Sequence, residues 1–141
     1  MRSAGEEHRR IEQIVMFLAA DPGADGAVLS AMALDLAAHL DADDSVLYPA
    51  LERALNRPLT EQRALRDRMR RMLSTVAGDA AFRSDWLRKL RALLLEHARF
   101  EEGVALAAVD TLMSRRSLNA LWRRVCAARA ASLARHAKRG P

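Results

Sequence analysis

Two imidazole–carboxylate pairs stand four residues apart in this chain, His39 with Asp43 and His97 with Glu101. On a helix that spacing puts both side chains on one face, so each pair aims a nitrogen and an oxygen donor at one point. His8 and Gln62 fall on apolar stripes of two further segments and can join them. Imidazole with carboxylate is a donor set for divalent cations; the mixture favours iron, with manganese or zinc also accommodated. Carboxylates bridge and imidazoles terminate, so two facing pairs with a third His suit two cations. Other chemistries lack their parts. There is no Ser/His/Asp set and no phosphate-cradling glycine loop, and the single Cys126 excludes a disulfide framework and a Cys-based zinc site.

The elements that must position these groups follow from the spacing of apolar residues, which recur at three and four positions. The pattern predicts a first helix over 4–20, with Ser3 as N-cap and Glu6 as its capping-box partner. A second runs over 25–55, and Pro49 inside it removes a backbone donor and should bend it near Tyr48. A third follows Thr60 as N-cap and stops before Gly78, and a fourth covers 84–113. A short fifth starts near Ser117 and fades into the last four residues. Asp21-Pro22-Gly23, Asn56-Arg57-Pro58 and Ala77-Gly78-Asp79 supply the breaks. Four long helices joined by short turns make an all-α, antiparallel up-down bundle over 1–113, with a basic helix over 114–141 packed on it.

Every stripe carries a polar group where the period points inward. They are His8 beside Ile11, Val15 and Leu18; His39 and Asp43 beside Leu36 and Leu47; Gln62 beside Leu65 and Met69; and His97 and Glu101 beside Leu94 and Val104. In an antiparallel bundle these fall near one level. Such a polar plane is costly in an apolar interior unless something satisfies it, and a metal does.

Composition bounds the rest. The 141 residues are 50% hydrophobic and 29% charged, enough for one domain with a true core. No apolar run approaches the roughly 18 residues of a membrane span, and the first residues show no signal-peptide pattern, so a soluble, cytoplasmic protein is expected. The net charge of +5 is uneven: Asp110 is the last acid, and the eight cations after it leave the preceding part at −3. The tail arginines are expected to pair with the acidic body or face solvent. Nucleic acid is not the expected partner, because no aromatic stacking platform or binding motif accompanies them.

Together the motifs resemble the hemerythrin-like HHE cation-binding domains. Glu7-His8 matches the first element of that family. His39-Leu40-Asp41-Ala42-Asp43, continuing to Leu47-Tyr48-Pro49-Ala50-Leu51, matches the second, and His97-Ala98-Arg99-Phe100-Glu101-Glu102 the fourth. The resemblance covers about residues 7–108. It implies a non-haem diiron site, with His8 and His39 on one iron and Gln62 and His97 on the other. It further implies a protein that binds dioxygen or responds to nitric oxide, oxidants or iron level. Two departures stand out. Asp43 is a methylene shorter than the usual Glu, and Asp44 could substitute for it. Gln62 replaces a His and is a poorer iron donor, which weakens the second position. The alternative is a degenerate site, mononuclear or metal-free, in a regulatory interaction protein. Peroxide- or nitric-oxide-directed catalysis would need a proton donor near the metal, and no inward acid is left over. Tyr48, nine residues past His39, falls on the opposite helix face and is read as packing. A homodimer is left open.

Overall fold

The computed structural model describes residues 4–20, 26–75 and 80–139. Seven α-helical segments are arranged as a bundle, with no strand among the described residues: α1 (Ala4–Ala20), α2 (Gly26–Ala42), α3 (Tyr48–Leu55), α4 (Thr60–Leu73), α5 (Ala80–Phe100), α6 (Leu106–Leu112) and α7 (Arg115–Lys138). The first helix has the expected extent. The Ser3 cap and the breaks at 21–23 and 77–79 lie outside the described residues.

The second and fourth sequence-predicted helices are each interrupted by a π-helical turn, Asp43–Leu47 between α2 and α3 and Glu101–Ala105 between α5 and α6. The amide of Tyr48 donates to the Asp43 carbonyl and that of Leu106 to the Glu101 carbonyl, five residues back instead of four. Pro49 is the second residue of α3, just past the first of these turns. Each turn inserts one residue and re-phases the helical stripe beyond it. Val104, expected inside, is 51% exposed, and Ala105 is buried in its place.

Asn56, in the left-handed conformation at φ 52°, ends α3. Thr60 is the first residue of α4 rather than its cap. The Leu59 amide before it donates instead to the Glu52 carboxylate at 3.0 Å, and Arg63 pairs with the same carboxylate. Helix α7 is longer than the sequence pattern suggests. Ser114 accepts a hydrogen bond from the Ser117 amide at 3.1 Å and starts the helix at Arg115.

Two apolar clusters fill the bundle. One holds Ile11, Val15, Met32, Leu36, Leu40, Met69, Leu90 and Leu94; the other holds Leu47, Tyr48, Leu51, Val109, Leu121 and Val125. Helix α7 lies along α2 and contributes Leu121 and Val125 to the second cluster, with Leu118 and Trp122 partly buried against it. In α1 the buried Glu7 and His8 precede the first cluster. His39 and Asp43 flank the change from Leu40 of the first cluster to Ala42 of the second, and His97 and Glu101 stand between Leu94 of the first and Ala105 of the second.

Candidate metal centre

Three imidazoles converge in the interior. The Nε2 atoms of His8 and His39 are 3.1 Å apart, and those of His39 and His97 are 3.2 Å apart. The rings meet edge to face, with centroids 4.8–5.4 Å apart. Two carboxylates close the cluster. Asp43 Oδ2 lies 3.3 Å from His39 Nε2 and 3.2 Å from His97 Nε2. Glu101 reaches His97 Nε2 at 3.0 Å and His8 Nε2 at 3.7 Å. All five residues are at most 3% exposed.

A ring nitrogen carries either one proton or one lone pair. The Nε2 of His39 therefore cannot hydrogen-bond to both neighbouring rings and also to Asp43. Both oxygens of Glu101, Oδ2 of Asp43 and the outer Nδ1 atoms of His39 and His97 are buried without a directed hydrogen bond. The oxygens stand close to imidazole nitrogens, but as charge contacts at poor angles. A divalent cation removes this conflict, since each inward nitrogen can then present a lone pair to one centre. Two imidazole nitrogens at right angles on a cation, each bound at about 2.1 Å, stand about 3.0 Å apart, close to the spacing found here. The donor atoms of His8, His39, His97 and Glu101 lie within 4.8 Å of one another, a group able to hold a metal ion.

A family model for the hemerythrin HHE cation-binding domain matches residues 5–109. The chain belongs to the hemerythrin HHE cation-binding domain family. Neither a curated protein nor a solved structure matches it.

Within this HHE domain, α1 supplies His8, α2 and its π turn supply His39 and Asp43, and α5 and its π turn supply His97 and Glu101. The two pairs sit where α-helical and π-helical geometry meet. Gln62, on α4, is partly exposed, and the close contacts among the three imidazoles and two carboxylates do not involve it. One turn further on, Arg66 is fully buried. Its guanidinium lies 3.4 Å from the centroid of the Tyr48 ring, and it pairs with Asp44. Asp44 is thus engaged by Arg66 and by Arg70, whose Nη2 is 2.6 Å away, and does not substitute for Asp43.

Tyr48 is not on the far face. The π turn takes one residue out of the count, so it follows His39 by about 80° rather than about 180°. Its hydroxyl is buried without a hydrogen-bond partner. Burial, and then the charges of Glu101 and Asp43, push its pKa up. Burial and the neighbouring His39 push His8 down to about 3. At His97 burial also opposes the charged form, but the Glu101 charge and the contacts to Asp43 and Glu101 prevail and raise it to about 10. Asp43 is held well below the usual carboxylate range: burial opposes this, and the adjacent His39 and His97 outweigh it.

Sequence reasoning missed four participants. They are Arg66, the orientation of Tyr48, Glu102 against His8, and Glu7, which is buried against Arg129 of α7 at 3.5 Å. A buried arginine beside Leu65 leaves no periodic signal, and the partners of Glu7 and Glu102 lie on distant helices. His136 of α7 lies 3.9 Å from Asp41.

Proposed function

We propose that the centre is a non-haem iron site that binds dioxygen or nitric oxide, or responds to oxidants or to iron level. The observation that carries this reading is the convergence of three buried imidazole nitrogens with two carboxylates between apolar clusters. Ferrous iron with an open coordination position supplies reversible binding of a diatomic ligand and one-electron chemistry. His8, His39 and His97 would hold it, with Glu101 and Asp43 offsetting its charge. The five side chains are at most 3% exposed, so bulk water is kept away. The hydroxyl of Tyr48 adds a buried donor on the same side, the kind of group that a peroxide- or nitric-oxide-directed reaction would need.

The geometry favours one iron over the two that the family resemblance implies. The donors cluster about a single point, and Gln62, the position that the resemblance gives to the second iron, makes none of the close contacts that join them. Manganese or zinc would satisfy the same donor set. The test is anaerobic reconstitution with ferrous iron, metal analysis, and visible spectra before and after air or nitric oxide. Bound iron with a spectrum that changes on gas exposure supports the reading; bound iron indifferent to both gases contradicts the gas-binding part. A second reading, a metal-free interaction protein, draws support from the position of His97. Protonated between Asp43 and Glu101, it forms an internal ion pair that could satisfy the site without a cation. Absence of uptake for iron, manganese and zinc alike would favour that reading.

A further inference from the structure

Of the three converging imidazoles, one has its outer nitrogen engaged. His8 Nδ1 is 3.2 Å from Oε1 of Glu102, whereas the Nδ1 atoms of His39 and His97 are buried without a partner. Glu102 is half-exposed, and its carboxylate comes in from the rim of the bundle. Glu101 and Glu102 are successive residues of the second π turn, so their side chains point in clearly different directions. Glu101 and Glu102 therefore reach around His8 from two sides, Glu101 toward Nε2 and Glu102 at Nδ1. A carboxylate only accepts, so Nδ1 must carry the ring proton and Nε2 is left with its lone pair. That lone pair faces His39 Nε2.

Gly5 makes room for this contact. It lies three residues before His8 in α1, on the same face. A Cβ built on Gly5 would stand 2.7 Å from Glu102 Oε1, closer than real contacts allow. The atom it would displace is the far end of a flexible side chain, so the backbone need not move. The glycine serves the carboxylate rather than the helix, since Ala would be the better helix former.

We propose that Glu102 is a positioning residue of the metal centre, fixing the tautomer and direction of His8 so that Nε2 presents a lone pair, and that Gly5 is the clearance that lets it do so. The inference rests on the metal reading above. Carboxylates that hold the outer nitrogen of a metal-bound histidine typically change metal affinity by about 10–100-fold when removed.

The experiment compares ferrous-iron affinity, measured anaerobically, with melting temperature for the wild type, Glu102→Ala, Glu102→Gln and Gly5→Ala. Glu102→Ala should weaken iron binding by about tenfold or more. Glu102→Gln, whose amide oxygen still accepts the Nδ1 proton, should stay within about threefold of wild type. Gly5→Ala should weaken binding while its melting temperature is unchanged or higher, a combination that general loss of structure cannot produce. Equal affinity in the wild type and Glu102→Ala overturns the proposal, and so does equal loss in the Ala and Gln variants. Nitrogen-resolved NMR of His8 in metal-free protein gives an independent arm: Nδ1–H in the wild type and a changed tautomer balance in Glu102→Ala. If the wild type takes up no iron, the metal reading fails, while this arm still decides the Glu102–His8 contact.

Discussion

Arg66 carries its charge into the interior through two compensations, the face of the Tyr48 ring and the carboxylate of Asp44, itself shared with Arg70. Removing one partner of a buried ion pair typically costs about 3–5 kcal/mol. Asp44 is partly exposed and keeps Arg70, so Arg66→Ala should fall near the lower end, about 3 kcal/mol by denaturant unfolding. Arg66→Lys should recover little, because an ammonium cannot lie flat on the ring while forking to a carboxylate. Tyr48→Phe should behave differently. Its hydroxyl is buried without a partner, so deleting it should change stability by less than about 1 kcal/mol in either direction. Gln62→His tests the count of cations at the same level. With Arg66 occupying the core side of α4, the added imidazole should leave bound iron at about one per chain; a rise toward two would show that the second position is open. The site's inner donors were legible in the sequence because each pair repeats at four residues on an apolar stripe. Glu102 and His8 are 94 positions apart, and no local pattern links them.

At the scale of elements, the two π turns matter most for the site, and the period of the sequence hides them. A periodic reading assumes about 100° per residue throughout. An inserted residue leaves the apolar stripe intact before it and shifts it afterwards, which is why Leu94, His97 and Glu101 were placed correctly and Val104 was not. The α3–α4 connection shows a second device. Glu52 accepts from the Leu59 amide and from Arg63, tying the end of one helix to the start of the next. The hydrogen bond from Arg63, and then that from Leu59, hold the Glu52 carboxyl below its ordinary value. A carboxyl with a depressed folded-state pKa contributes stability above its unfolded value and loses it as pH falls through the folded value. Glu52→Gln should therefore be less stable than wild type by about 1 kcal/mol at neutral pH, the size of a helix cap. The gap should close in acid, as paired thermal melts at pH 7 and pH 3 would show. A pH-independent difference would count against this clamp.

Across the whole molecule, α7 ties the basic end of the chain to the rest. Glu7 pairs with Arg129, and Asp41 accepts from Ser132 at 2.5 Å, so α7 is bonded to the helices that carry His8 and His39. Leu121 is 2% exposed within the second apolar cluster, and Leu121→Ala should cost about 2–4 kcal/mol. The four-helix frame was legible from breaks and periodicity. The length of α7 was not, because alanine and arginine there form no strong stripe and the Ser114 cap alone marks its start. The arginines on its outer face, Arg116, Arg123 and Arg124 among them, are exposed. Without an aromatic platform they should give no salt-dependent DNA shift at low ionic strength. The iron site proposed on His8, His39, Asp43, His97 and Glu101 is open to direct assay. The most direct measurement is the iron content of wild-type and His97→Ala protein after identical anaerobic loading with ferrous iron and removal of the excess. About one iron per wild-type chain is expected, with a large loss in the variant. Equal iron in the two proteins, or none in the wild type, would contradict the proposed site.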